Sequence, residues 1–369
     1  MILQADPGRS FRTDRQAILD AVRRVLESGR YILGEENRSF EEAFARYNGC
    51  RRCLGTANGT DAIELILRGL GIGPGDMVAT VGNTATATVS AIERTGARVR
   101  FADIDPERFT LSPASLEELL SKESAIRAVV AVHLFGGVAD LDAILHVTQK
   151  FHIPLIEDCA QAHGAEYRGR KCGTFGIAGS FSFYPTKNLG AFGDGGAVIT
   201  DDEALYEKMK ALRQYGWQRR YISEFSGINS RLDELQAAIL SVKLPRLDEN
   251  NAARRRIAAR YREGLNDLDG IIPPIEAENT RHVYHQFVIR VPNGRRQELT
   301  EHLRANGIGC AIHYPEAIPL QPGYRAIPRP CGLETTLRIN EEILSLPMYP
   351  ELTDDEVDKV LLAVRGFFR

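Results

Sequence analysis

Three stretches of this 369-residue chain hold residue types that can do chemistry, and each lies where an apolar run gives way to small residues. The first is Gly55-Thr56-Ala57-Asn58-Gly59-Thr60-Asp61-Ala62. Small residues at a helix start leave backbone N–H groups free, and those groups together with the positive dipole end suit a phosphate. Thr60 adds a hydroxyl donor. Taken alone, an ordinary Asn-Gly turn explains the same residues more simply. The second stretch is Leu155-Ile156-Glu157-Asp158-Cys159-Ala160-Gln161-Ala162-His163-Gly164. A carboxylate at the end of a buried strand is costly unless a positive group meets it. A protonated pyridine nitrogen is such a group. An aspartate helix cap is the other reading. The third stretch runs from Gly179 through Ser182, Tyr184, Pro185, Thr186 and Lys187 to Gly190, followed by Gly193-Asp194-Gly195-Gly196. A lysine partly stripped of water has a lowered pKa and can form a Schiff base with a carbonyl. A surface lysine in a loop is the alternative. The order of the three favours chemistry: a phosphate loop opening a helix, then an aspartate at a strand end, then a loop lysine.

The elements that must position these residues follow from the apolar pattern. Short runs rich in Val, Ile and Phe at Met77–Val81, Val99–Ala102, Ala128–His133, Leu155–Ile156, Ser180–Phe183 and Ala197–Thr200 read as buried parallel strands. Helical patterns alternate with them, which predicts an α/β domain with a mostly parallel seven-stranded sheet and helices on both faces. Ile63, Ile66, Leu67 and Leu70 follow the i, i+3, i+4, i+7 rule. Ser39 with Glu42 and Ser115 with Glu118 have the form of capping boxes. The Gly69–Gly75 glycine run reads as a helix stop and turn, because it follows a helix rather than a strand.

Composition shifts after Pro245. A charged helix at Leu247–Leu265 carries Ile257, Tyr261 and Leu265 on one stripe, and the Arg254-Arg255-Arg256 run reads as its solvated face. A strand at His285–Val291, a helix at Gln297–Asn306 and a last helix capped by Thr353 with Glu356 complete the pattern. The apolar face of that last helix is Val357, Val360, Leu361 and Val364. We therefore expect a large cofactor-binding α/β domain over residues 1–245 and a small α+β domain over 246–369. The first ~30 residues are expected to pack on the small domain or on a partner subunit.

A formal charge of −3 is too near neutral for a nucleic-acid or anionic-membrane partner. No apolar stretch is long enough to span a bilayer, and the start does not read as a signal peptide. The lone Cys50-x-x-Cys53 has no second ligand pair, since Cys159, Cys172, Cys310 and Cys331 lack the spacing of a zinc site. Structural thiols in a reducing cytoplasm are the expectation, with no metal.

The three chemical stretches, in this order and spacing, resemble the fold type I pyridoxal-phosphate enzymes. More narrowly, the chain resembles the DegT/DnrJ/EryC1/StrS sugar aminotransferases, from Tyr31-Ile32-Leu33-Gly34 to Ser345-Leu346-Pro347-Met348-Tyr349. The resemblance implies that Lys187 holds pyridoxal 5′-phosphate covalently and shuttles a proton. It implies that Asp158 pairs with the pyridine nitrogen, that Gln161 approaches the ring hydroxyl, and that Gly59, Thr60 and Ser182 hold the phosphate. Asn229, in Gly227-Ile228-Asn229-Ser230-Arg231, matches a residue that reaches the phosphate from the neighbouring subunit of a homodimer. Thr84, His133, Tyr184, Arg231, His313 and Tyr314 are the candidate substrate contacts, although a structural role explains His133 equally well. The implied reaction takes an amino group, with glutamate as donor, to a keto-sugar carried on a nucleotide. Glutamine at position 161 is common among relatives that act at C3 of the sugar, so a 3-keto-6-deoxyhexose is the expected acceptor.

Two departures from the family pattern bear on the site. Ala85 stands where the family usually has an aromatic residue to cover the cofactor ring, and Pro319-Leu320-Gln321-Pro322 lacks the histidine usual before the Gln-Pro pair. Other acceptors stay open: a 4-keto nucleotide sugar or a keto-cyclitol. The dehydratase branch of the family has histidine in place of the lysine, so Lys187 speaks against it. A non-catalytic cofactor-binding sensor of the same fold is the reading from another class.

Overall fold

The structure, a computed structural model, describes residues 1–327 and 332–368. Cys331 lies outside the described residues; Cys50, Cys53, Cys159, Cys172 and Cys310 are free thiols. Seven strands form one sheet: β1 Arg52–Thr56, β2 Met77–Val81, β3 Arg98–Ala102, β4 Ile126–Val132, β5 Leu155–Asp158, β6 Ala178–Ser182 and β7 Gly196–Thr200. Their spatial order is β1-β7-β6-β5-β4-β2-β3. The five strands from β3 to β6 run parallel. β7 is antiparallel to β6, and β1 is antiparallel to β7.

The sheet is covered on both faces, as its composition requires. Leu54, Val78, Val130, Ile156 and Val198 face one buried cluster. Their alternates Cys53, Ala79, Val129, Phe181 and Ile199 face the other. Against the first cluster packs the helix Gly59–Gly69, with Ile63, Leu65, Ile66 and Leu67 almost fully buried. Each such side chain contributes about 1.5–3 kcal/mol by leaving water.

The pairing pattern assembles one edge of the sheet. Parallel pairing sets Asp158 opposite Ser180, so the carboxyl ends of β5 and β6 lie side by side. Ser182 and Thr56 both pair with Gly196, so the end of β1 arrives at the same edge. Ligands bind outside the carboxyl ends of such strands.

The strand β1 had no counterpart in the apolar pattern, because Arg-Cys-Leu-Gly-Thr is short and begins on an exposed arginine. Most other strand bounds moved by a residue or two, and the parallel architecture stands. Two cap expectations are corrected. Ser39 lies inside the helix Glu35–Asn48, whose start is instead held by the Glu234 carboxylate, which accepts from the N–H groups of Gly34, Glu36 and Asn37. Ser115 lies inside the helix Pro113–Lys122, which Ser112 caps by accepting from Ser115 N–H. The Thr353–Glu356 capping box is present.

The C-terminal unit is α+β. Phe287–Arg290 pairs antiparallel with Ile343–Leu346. The helices Leu247–Leu265, Arg296–Ala305 and Asp354–Phe367 surround them, with Tyr261, Phe287, Leu299, Leu303 and Val360 in one core. The arginine run at 254–256 is corrected too. Arg254 is buried and donates to the carbonyls of Tyr284 and Met348, and Arg255 donates to Glu276 and to the His282 carbonyl. The N-terminal segment docks on this unit: Ile2 bridges to Ile308, and Arg9 pairs with Glu356. The following helix, Arg15–Ser28, instead buries Ala21 and Val25 against Ala238. Among the described residues no helix is long and apolar enough to cross a membrane.

Candidate active site

A cleft of about 240 Å³ opens at the carboxyl edge of the sheet, lined by Asn58, Gly59, Thr60, Thr84, Ala85, Asp158, Gln161, Ser182, Tyr184, Lys187 and Asp194, among others. Residues up to 136 positions apart in the chain, Asn58 and Asp194, meet there because three strand ends do.

The first helix turn is prepared for an anion. The Asn58 side chain accepts from Asp61 N–H at 2.8 Å, and the Asn58 carbonyl accepts from Ala62 N–H. The N–H groups of Gly59 and Thr60 precede the first intrahelical bond and stay available at the dipole's positive end. A Cβ at Gly59 would come within 2.8 Å of the Ser182 Cβ, and one at Gly196 within 2.4 Å of the Asn58 backbone. Glycine at both positions lets the loop close onto the strands. Ser182 Oγ accepts from Tyr184 N–H at 3.3 Å, which leaves its own proton free to donate. Ser230 Oγ accepts from Ala57 N–H at 3.0 Å and braces the loop from behind.

Asp158 is buried. Oδ1 accepts from Ala160 N–H at 3.1 Å and Oδ2 from Thr88 Oγ1 at 2.8 Å. Burial still pushes its pKa up, against those two bonds and the charge of Lys187. It is therefore a carboxylate in want of a positive partner. Lys187 stands half-buried across the cleft, after β6. Desolvation pulls its amine down to about 8, with Asp158 opposing. That raises the neutral fraction at pH 7 by roughly two orders of magnitude over an exposed lysine.

Gln161 is oriented without ambiguity. Its Oε1 accepts from Phe135 N–H at 2.7 Å, and its Nε2 donates to Tyr314 Oη at 3.1 Å. One N–H remains free to donate to a ligand in the cleft. His313 bonds through Nδ1 to Ser345 Oγ at 2.9 Å. Burial, helped by the Lys187 charge, lowers its pKa to about 4, so the ring is neutral.

Three of the residues singled out from the sequence lie elsewhere. His133 is fully buried behind the strand end, with Nε2 at 3.0 Å from Glu157 Oε2 and Nδ1 accepting from Ala139 N–H. Glu157 is saturated by that ring and by three backbone N–H groups, those of Gly173, Phe175 and Gly176. Asn229 is exposed and bridges to Gln214. Arg231 lines a separate groove with Trp217, Arg219, Arg220 and Phe225. Asp194, in the third stretch, also lines the cleft. Thr88 belongs to the site through Asp158 although it was not singled out; its spacing from Thr84 was the available signal.

The set fits pyridoxal-phosphate chemistry: an anion cradle, an acceptor for a ring cation, an amide with a free N–H and a lysine with a depressed pKa. Known proteins are similar over nearly the whole chain. The profile described as the DegT/DnrJ/EryC1/StrS aminotransferase family matches residues 12–365. A dTDP-3-amino-3,4,6-trideoxy-alpha-D-glucose transaminase of Micromonospora megalomicea subsp. nigra is 43% identical, over 96% of this chain and 96% of that one. A UDP-2-acetamido-2-deoxy-3-oxo-D-glucuronate aminotransferase of Pseudomonas aeruginosa is 38% identical, over 93% of this chain and 94% of its own. The crystal structure of S. venezuelae DesV superimposes with a TM-score of 0.96 at 41% identity, covering 100% of this chain and 98% of that one. The chain belongs to the DegT/DnrJ/EryC1/StrS family and is a pyridoxal-phosphate-dependent aminotransferase.

Proposed function

We propose that this enzyme moves an amino group from glutamate to a 3-keto sugar carried on a nucleotide. The observation that carries the reading is the convergence of Gly59, Thr60, Asp158, Gln161, Ser182 and Lys187 on one cleft. The relatives' names support the sugar and the position, since both name amino or oxo chemistry at carbon 3 of a nucleotide sugar.

Pyridoxal phosphate, when bound, supplies an electron sink through its protonated ring. The chain supplies the rest. Gly59, Thr60 and Ser182 hold the phosphate with N–H and O–H donors. Asp158 holds the ring-nitrogen proton. Gln161 donates its free N–H to the ring hydroxyl. Lys187, its amine neutral for a usable fraction of the time, would hold the cofactor and, once released, take the proton from the amine-bearing carbon of the amino donor in one half-reaction and return one to the carbon of the sugar in the other. Thr84 and Tyr184 line the cleft and are candidates to contact the acceptor, as are the neutral His313 and Tyr314, the latter bonded to Gln161. We further propose a homodimer in which Asn229 and Arg231 of one copy complete the site of the other, because neither lines its own cleft.

A panel of nucleotide-linked 3-keto and 4-keto sugars and a keto-inositol, each with glutamate and read by mass spectrometry, tests this. The 3-keto sugar is expected to gain an amino group. Amination of the 4-keto isomer or of the inositol alone would overturn the assignment.

A further inference from the structure

Two hydroxyls behind the cleft form a chain with a fixed sense. Thr88 is fully buried and Thr84 nearly so. Thr88 Oγ1 lies 2.8 Å from Asp158 Oδ2, and Thr84 Oγ1 lies 3.0 Å from Thr88 Oγ1. An ionised carboxylate can only accept. Thr88 therefore gives its single proton to Asp158. It follows that Thr84 must donate to Thr88, so the chain runs Thr84 to Thr88 to Asp158. Thr84, which also lines the cleft, has no proton left for a ligand and can only accept from one.

We propose that Thr88, backed by Thr84, is a positioning residue that keeps Asp158 ionised and aimed at the ring nitrogen. The inference rests on Asp158 being the partner of that nitrogen. Its physical basis is the choice of proton position between two bases. A donor to the charged carboxylate lowers its basicity and leaves the proton on the ring. Without that donor, a buried carboxylate becomes more basic and draws the proton away, and the ring loses positive charge. Hydrogen bonds to buried charged groups are stronger than neutral ones, so the effect is large enough to measure. The geometry is also specific. Threonine at the third position of the helix Thr86–Arg94 points its hydroxyl across to a strand end seventy residues away in sequence.

The test uses the enzyme loaded with pyridoxal phosphate and reads two signals. One is the pH midpoint at which its visible absorbance band changes; the other is kcat against KM for the amino donor. In Thr88→Val the midpoint is expected to move upward by about one pH unit, because the lysine linkage loses a neighbouring positive charge. kcat is expected to fall about tenfold, with KM little changed. Thr88→Ser keeps the hydroxyl and is expected to restore both signals to within about threefold of the parent. Asp158→Asn is the control for the underlying reading and must shift the midpoint. A silent Asp158→Asn removes the ring-nitrogen role and this proposal with it. A shifted Asp158→Asn beside an unshifted Thr88→Val overturns this proposal alone. Equal impairment in Thr88→Ser and Thr88→Val does the same, since it assigns the effect to packing. Should Thr88→Val not fold, Thr84→Val tests the same chain one bond back: a smaller upward shift supports it, and no shift overturns it.

Discussion

His163 closes the motif that begins at Asp158, and it links acid stability to this site. The ring is fully buried, with centroids 5.4 Å from Phe181 and 5.8 Å from Phe183. Burial, aided by the charge of Lys187, lowers its pKa from 6.5 to about 3, while the Ser182 backbone acts in the opposite sense. Between those two values the unfolded chain takes up a proton that the folded protein refuses. Stability is therefore complete above the unfolded value and falls as the pH drops through the window. At pH 5 this one ring costs about 2 kcal/mol relative to neutral pH. Set against the unfolding entropy of a chain of 369 residues, that is about 2–3 °C in Tm. His163→Phe removes the titration and keeps an aromatic ring against both phenylalanines. Tm is measured for both proteins at pH 7 and pH 5 by circular dichroism. His282 and His313 are also held neutral by burial, so both proteins lose stability in acid. The difference between them isolates His163 and is expected to shift by about 2–3 °C in the variant's favour at pH 5. Parallel curves would refute the reasoning.

Borohydride reduction of the cofactor-saturated enzyme should leave the cofactor covalently on the Lys187 peptide by mass spectrometry; an unmodified peptide would remove Lys187 from its role. For the proposed shared site, Lys187→Ala and the double variant Asn229→Ala/Arg231→Ala, each inactive alone, are mixed and allowed to exchange subunits. Activity is expected to return towards a quarter of wild type, since half of the dimers carry one intact site under random mixing. No recovery after verified exchange would mean that each chain builds its own.

Much of the site could be read from local pattern because its key groups occupy the ends of strongly apolar strands. Asp158 follows Leu155 and Ile156, and Lys187 follows Phe181 and Phe183, so each is marked by a change from buried to small residues within a few positions. The phosphate loop was marked by Asn58-Gly59 before a helical stripe. Such signals are short-range, and secondary structure in a buried parallel sheet is dictated by short-range hydrophobicity. The antiparallel edge was less legible. Nothing in Arg52–Thr56 distinguishes a strand from a loop until Gly196–Thr200 pairs with it.

What depended on tertiary structure is the identity of partners. Local motifs suggested Ser39 and Ser115 as helix caps. The Glu35–Asn48 helix is instead held by Glu234, two hundred positions away at the Gly34 N–H. A run of three arginines read as a solvated face, yet Arg254 turns inward and donates to the carbonyls of Tyr284 and Met348. His133 had two possible environments, and the chain placed Glu157 and Ala139 on its two nitrogens. For Thr88 only the spacing from Thr84 was local; its partner Asp158 sits at a strand end seventy positions away. Hydrogen-bond satisfaction of a buried polar group is decided by whichever group arrives within about 3 Å, and sequence spacing sets that only within one helix or one turn. The sequence thus determined which residues could do the chemistry. The meeting of the carboxyl ends of β1, β5 and β6 at one sheet edge decided which of them are held together, and by what.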